Sequence, residues 1–336
     1  MAGLERFLAE AWDAEVEVVD AGFSSAGGRR TNLLFTAHAP TVDTSLVATI
    51  IPNPEMQAMA VEVESDTLRL ARRIGMPVPE VHGVTTDPSY VGGPFFVSER
   101  IDGETIPRRV VRLVDDHPGL GQRLARQCGD ALARLHSATL ADIRPEISRP
   151  GDRTRIDQLL SRLERDLSAL LQPSLAFRLA MKWLEQHLPE EDQLALVHGD
   201  FRNGNIVVGD DGLRGVLDSE ACRIGDPMED LAWVCTRMWR ARVDHLEVGG
   251  FATRADLRTG YEAAGGVWRD DAFRWWKVAL TLMWGFTLAA QARAHLDGSV
   301  PSIVMAASGR RVAELEYDAL MLISPADPGT RHREGA

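Results

Sequence analysis

The sequence predicts an α+β fold in two lobes: a small β-rich N-terminal lobe followed by a larger, mainly helical C-terminal one. Three observations carry this. Short β-branched runs cut by Gly, Pro, Asp and Ser fill the first hundred residues, apolar residues at helical spacing dominate afterwards, and the change falls at Asp102-Gly103. The chain has 336 residues, of which 45% are hydrophobic and 26% charged. That balance supports a sizeable core and excludes wholesale disorder. The expected divisions are residues 1–100 for the first lobe, 101–324 for the second and 325–336 for a polar, flexible tail.

The elements follow in order. VEVVDAGF (Val16 to Phe23), TNLLFTA (Thr31 to Ala37) and SLVATII (Ser45 to Ile51) read as strands. Between the first two lies SSAGGRR, a small-residue loop in which Gly27 and Gly28 are adjacent. A helix is expected from about Pro54 to Ile74, stopped by Gly75, Pro77 and Pro79. Two more strands are expected at Glu80 to Val84 and Pro94 to Ile101, giving the order strand, strand, strand, helix, strand, strand. Beyond them, Leu120, Leu124, Cys128, Leu132 and Leu135 mark a helix running to His136, and Ile156, Leu159, Leu160, Leu163, Leu167 and Leu170 mark a second. Six of the eight tryptophans lie after position 230, and most read as core of packed C-terminal helices.

Composition also excludes classes of function. Thirty-seven basic against 49 acidic residues give a net charge of -12, with no Lys/Arg block longer than two. Such a chain is a poor nucleic-acid binder; a cationic or metal-chelated small ligand suits its field better. Three cysteines (Cys128, Cys222, Cys235) without C-x-x-C spacing read as reduced thiols of a cytoplasmic protein. The N-terminal segment carries acids where a signal peptide needs an apolar stretch. The longest apolar stretch, Val278 to Ala290, has thirteen residues including two threonines, fewer than a bilayer requires. No membrane or nucleic-acid partner is expected, and oligomeric state is left open.

The chemistry concentrates in ALVHGDFRNGNIVVGDDGLRGVLDSEACRIGDPMEDLAW, Ala195 to Trp233. An apolar strand runs into His198-Gly199-Asp200, followed by Asn205; then come IVV and GVL around a polar turn centred on Asp211-Gly212. Counting outward from that turn, 210 faces 213, 208 faces 215, 206 faces 217, and Asn205 faces Asp218. Opposed residues in such a register have backbones about 5 Å apart. An amide oxygen and a carboxylate at the open end of a hairpin can share one hard cation, and magnesium takes few protein oxygens plus substrate phosphates. Asp200 then lies near the metal, free to accept a hydroxyl proton. A base Asp, a metal Asn and a metal Asp is the division of labour of phosphoryl transfer.

These segments resemble a known family. HGDFRNGN is similar to the catalytic loop of the aminoglycoside phosphotransferase-like enzymes, relatives of the protein kinases, in which His-Gly-Asp replaces the kinase His-Arg-Asp. VLDSE resembles their metal-binding segment, and GDPMEDLAW its continuation into the next helix. GMPVPEV, DPSYVGGPFFVSERIDGE and ALARLH resemble the subgroup that also occurs fused to acyl-CoA dehydrogenases, so the likeness runs from about Gly22 to Glu316. It implies a protein-kinase-like fold with a nucleotide-binding N-lobe, ATP (or GTP) and Mg2+ as cofactors, and a small hydroxylated acceptor. It further implies Asp200 as base, Arg202 near the γ-phosphate, and Asn205 and Asp218 on the metal. Gly27, Gly28 and Arg29 would line the phosphates, Glu64 would be the helix glutamate of an ion pair, and Glu99 to Ile101 would present main chain to the base. His198 and Asp230 read as structural, the latter holding the catalytic loop through backbone N–H groups. Glu220 and Asp226 read equally as metal neighbours or acidic surface.

One departure stands out. The family places Lys or Arg on the third strand, and SLVATII offers Thr49 instead. Arg29, Arg30 and Arg202 are the candidates to supply that charge. The expected function is therefore ATP/Mg-dependent phosphorylation of a small-molecule hydroxyl. Its alternatives are a degenerate nucleotide- or partner-binding protein without turnover and an aminoglycoside resistance phosphotransferase.

Overall fold

The β-branched runs of the first hundred residues all become strands. The structure, a computed structural model, describes residues 1–23, 30–40, 42–53, 55, 57–147, 155–189 and 194–324. Strands β1 (Glu17–Phe23), β2 (Thr31–Ala39), β3 (Val42–Ile50), β4 (Val81–Thr85) and β5 (Phe95–Glu99) form one antiparallel sheet in the order β1-β2-β3-β5-β4. Alternation along β2 turns Leu33, Phe35 and Ala37 to one face, where Leu46, Ala48, Phe95 and Val97 meet them.

A helix that the strand-first reading omits covers that face. Helix α1 (Ala2–Trp12) packs Leu4, Phe7 and Leu8 onto the sheet. Its apolar positions at 4, 7 and 8 have helical spacing, Arg6 and Glu10 lie exposed, and Glu5 accepts the Val18 N–H of β1 at 3.1 Å. Gly83 on β4 lets it approach, since a Cβ there would stand 2.7 Å from the Phe7 ring. On the opposite face lies α2 (Val61–Arg73), beginning at Val61 rather than near Pro54. Ala60, just before the helix, is extended at φ -60 and ψ 140. The helix ends at Gly75, at φ +85, as its sequence predicts.

The remainder is mainly helical: α3 (Pro107–Asp116), α4 (Leu120–His136), α5 (Arg155–Ser168), α6 (Leu175–Gln186), α7 (Met228–Val234), α8 (Arg254–Ala263), α9 (Asp270–Leu296), α10 (Ile303–Ser308) and α11 (Val312–Ile323). The bounds of α4 are those its leucine spacing predicts. Two short antiparallel pairs sit among the helices, β6 (Ala195–Val197) with β9 (Arg223–Gly225) and β7 (Ile206–Gly209) with β8 (Gly212–Val216). Val278 to Ala290 forms the middle of α9, which buries Trp275 and Trp276, and among the described residues no helix is long and apolar enough to cross a membrane. The three cysteines are free and buried, and burial pushes each thiol up, Cys235 to about 12.

The link between sheet and helices fixes the β7–β8 hairpin beneath it. Glu104 and Val208 exchange backbone hydrogen bonds of 2.8 and 3.0 Å. Ile101 covers Gly215, where a Cβ would stand 2.5 Å from its side chain. Whatever the hairpin carries at its open end is thereby held against the sheet's edge.

Candidate active site

The hairpin does not follow the register expected from an Asp-Gly turn. Its loop is the pair Asp210-Asp211: Gly209 faces Gly212, Val208 faces Leu213, and a bulge between Val207 and Val208 then sets Val207 opposite Gly215 and Ile206 opposite Val216. Gly212 leaves the loop at φ +119, and Arg214 reaches back to both turn aspartates at 2.9 and 2.8 Å. The shifted loop moves the register by two residues and the bulge returns one. Asn205 therefore faces Leu217, whose N–H donates to the Asn205 carbonyl at 2.8 Å, and Asp218 follows one residue later. Asp218 adopts φ 66 and ψ 61, left-handed backbone that Asp tolerates better than most residues. Strain of this kind clusters at functional sites.

Asp200 stands at the same end of the hairpin, and three side chains hold its carboxylate. Asn205 donates Nδ2–H to Asp200 Oδ2 at 2.7 Å and to the Asp200 carbonyl at 3.0 Å. Arg202 Nε lies 3.1 and 3.2 Å from the two carboxylate oxygens, with its guanidinium 4.7 Å over the Trp239 ring. Trp233 donates its indole N–H to Oδ1 at 2.7 Å. Because both neighbours of the Asn205 amide nitrogen are acceptors, its carbonyl oxygen faces away from Asp200.

The loop itself is pinned from beneath. Asp230, fully buried on α7, accepts from the backbone N–H of His198 at 2.7 Å and of Gly199 at 2.8 Å, and His136 Nε2 lies 3.1 Å away. Burial pushes its carboxyl up, yet His136, His198 and the backbone donors hold it below its ordinary value. Gly199, at φ +80, passes so close that a Cβ would lie 2.4 Å from the Ala221 carbonyl. His198 is buried against the Leu217 carbonyl at 3.1 Å, an orienting contact. Trp233 lies three residues after Asp230 on α7, so both reach the loop from one helix face. That spacing was the available signal for Trp233, which the reading of tryptophans as core passes over. Trp233, Trp239 and Trp284 form a cluster with centroids 5.0 to 5.7 Å apart, and the indole N–H groups of Trp239 and Trp284 are buried without a hydrogen-bond partner.

A second cluster forms beside Asp218. Arg30 makes a two-pronged bond to Glu64, Nη1 to Oε1 at 3.0 Å and Nη2 to Oε2 at 2.8 Å. The same guanidinium lies 2.7 Å from Glu220 and 3.9 Å from Asp218. Burial, together with Asp218 and Glu220, raises the Glu64 carboxyl against the pull of Arg30. Glu220 thus joins the site, whereas Asp226 is fully buried, paired with Arg269 and bonded to the Met228 N–H at 2.9 Å. Thr49 is buried between Asn32 and Phe96. The Glu99 side chain turns away, accepting from Glu80 N–H at 3.2 Å and lying 3.5 Å from Arg72. Gly27, Gly28 and Arg29 lie outside the described residues.

Among the described residues no three carboxylate, imidazole or thiolate groups converge as a metal cage. Two oxygen donors could hold magnesium beside substrate phosphates, the Asn205 amide oxygen turned outward and the Asp218 carboxylate; Glu64 and Glu220 are paired with Arg30.

The family description "phosphotransferase enzyme family" matches residues 27–270. Among curated proteins, the chain is 29% identical over 191 residues to mouse acyl-CoA dehydrogenase family member 10, covering 56% of this chain and 17% of that protein. It is 28% identical over 188 residues to human acyl-CoA dehydrogenase family member 11, covering 55% and 24%. The chain thus spans about a fifth of the length of these relatives. Among solved structures, a Ralstonia eutropha protein described as an aminoglycoside phosphotransferase superposes with a TM-score of 0.70 at 20% identity, covering 96% of this chain and 97% of the other. The GDP complex of an aminoglycoside 2'-phosphotransferase gives 0.67 at 13% identity over 96% and 99%. A hygromycin B complex of another aminoglycoside phosphotransferase, with AMP-PNP, gives 0.62 at 16% identity over 97% and 100%. These structures share the kinase-like fold.

Proposed function

Since the chain belongs to the phosphotransferase enzyme family, we propose that it transfers the γ-phosphate of ATP or GTP, with Mg2+, to a hydroxyl of a small molecule. The observation that carries this reading is the Asp200 carboxylate, aimed by Asn205, Arg202 and Trp233 at the end of the hairpin that also bears Asp218.

Each residue then has one task. Asp200 accepts the proton of the acceptor hydroxyl as the hydroxyl oxygen attacks the γ-phosphorus, whose bond to the β,γ-bridging oxygen breaks to release the nucleoside diphosphate, and Trp233 fixes which carboxylate edge faces the acceptor. Arg202, already against Asp200, offers its outer N–H groups to the transferred phosphoryl oxygens. Asn205 Oδ1 and the Asp218 carboxylate would hold the metal, which neutralises phosphate charge when bound. The backbone of Glu99 to Ile101 would meet the base, because the Glu99 side chain is engaged elsewhere. That two neighbours contain GDP or AMP-PNP supports a nucleotide here.

The surroundings of Asp200 favour a general small-molecule kinase over an aminoglycoside resistance enzyme. An arginine and two indoles packed edge to face border it, a lining that fits a ring or apolar face better than a polycation. The reading is tested by thermal shift with ATP, with and without magnesium. Asp218→Ala should abolish the magnesium-dependent gain and Asn205→Ala should reduce it. Wild-type behaviour in both variants would contradict the metal assignment.

A further inference from the structure

We infer that Arg30, the residue just before β2, is the cation that grips the triphosphate, taking over the task that Thr49 leaves undone. The inference rests on the nucleotide reading above and names the residue that reading lacks.

Strand β3, VDTSLVATI, carries no Lys or Arg. Thr49 pairs with Asn32 on one side and Phe96 on the other. Directly paired residues share a sheet face, and Phe96 packs in the same core as Val61 and Leu68 of α2, so the Thr49 face looks toward α2. Arg30 precedes Asn32 by two residues and reaches Glu64 of α2. It therefore serves that same face from the position diagonal to Thr49, a separation of roughly 7–8 Å that long side chains bridge.

The donors are set out for an anion. Of the five guanidinium N–H groups, two bond Glu64 and one meets Glu220. The Nε–H is buried without a partner. The remaining Nη1–H points to the side of Asp218, whose carboxylate at 3.9 Å is beyond hydrogen-bond range. A phosphate oxygen brought in by a cation on Asp218 arrives beside the outer Nη1–H, the unused donor on that edge; the Nε–H lies on the opposite edge, beside Nη2. Glu64, with only 2% of its side chain exposed, holds the fork in place.

The test uses the full chain, calorimetry with Mg·ATP and with adenosine, and circular dichroism to confirm folding. Arg30→Ala should weaken Mg·ATP by roughly ten- to a hundredfold, the equivalent of one lost charge-assisted contact. Adenosine, which lacks phosphates, should bind as to wild type. Arg30→Gln, which keeps a neutral donor toward Glu64, should show the same selective loss and covers the case in which the alanine variant does not fold. Thr49→Lys should restore most of the loss in the Arg30→Ala background, while adding nothing to wild type. Mg·ATP binding unchanged in a folded Arg30 variant would overturn the inference. Equal losses for ATP and adenosine would also overturn it, since they assign Arg30 a purely structural role. A wild-type protein that binds adenosine and Mg·ATP not at all contradicts the nucleotide reading itself.

Discussion

Asp200 is an acceptor surrounded by donors, and that asymmetry makes two substitutions informative. Asp200→Asn keeps the size of the side chain but removes its capacity to take a proton. It should lower turnover by roughly 10²–10⁴-fold while leaving nucleotide affinity near wild type. A variant that retains most of its rate would remove Asp200 from the chemistry. Trp233→Phe deletes only the 2.7 Å indole bond to Oδ1. Its expected cost is about tenfold in kcat, the scale of one hydrogen bond to a charged group, with unchanged ATP affinity by calorimetry; equal kcat would show that the indole merely packs. At this scale the sequence singled out Asp200, Asn205, Asp218 and Asp230, because each sits at a fixed offset within one continuous segment. It named Glu64 as an ion-pair glutamate and Arg30 as one of three candidate cations but did not choose between them, because Arg30 and Glu64 are 34 residues apart and meet only once the chain is folded. No spacing rule connects a strand's edge to a helix across a loop.

Among the elements, the catalytic loop depends on α7 more than on its own hydrogen bonds. Removing the Asp230 carboxylate leaves the His198 and Gly199 N–H groups buried without an acceptor, so Asp230→Ala should cost at least about 2 kcal/mol, measured by urea unfolding. A pH dependence follows from the lowered Asp230 carboxyl. A folded-state value below the unfolded one of about 3.9 means that the contribution is present above pH ~4 and is lost as pH falls through the folded value. Asp230→Asn, which does not ionise, should therefore lose less stability than wild type as pH drops below about 4; parallel curves would show that other carboxylates dominate. The helices and strands were largely legible from periodicity, and α4 runs between its predicted ends. The hairpin register was not. Three glycines and two aspartates at 209–212 and 215 admit more than one turn, and the bulge that settles the pairing is fixed by packing of Ile101 on Gly215. Helix α1 escaped because its short apolar stripe lies in an acidic segment that is read first for targeting signals.

For the molecule as a whole, the segment 99–104 ties the five-stranded sheet to the hairpin, and Arg30 lies 3.9 Å from Asp218 just past the hairpin's open end. The buried thiols report on the integrity of that assembly. All three cysteines should resist an aromatic disulfide reagent in the native protein and react together in denaturant; prompt labelling of one in native buffer would contradict the packing around it. The two-lobed fold was readable from the switch from strand-like to helical periodicity, whereas the acceptor was not, since no linear pattern shows how side chains such as Trp233 and Trp239 group around Asp200. The most direct measurement is phosphate transfer from γ-labelled ATP into fractionated cell metabolites, followed by mass spectrometry, with wild type and Asp200→Asn side by side. The account predicts a phosphorylated small molecule formed by wild type only when magnesium is present, and none by the variant. Label appearing equally with both proteins, or with neither across all fractions despite demonstrated Mg·ATP binding, would contradict it.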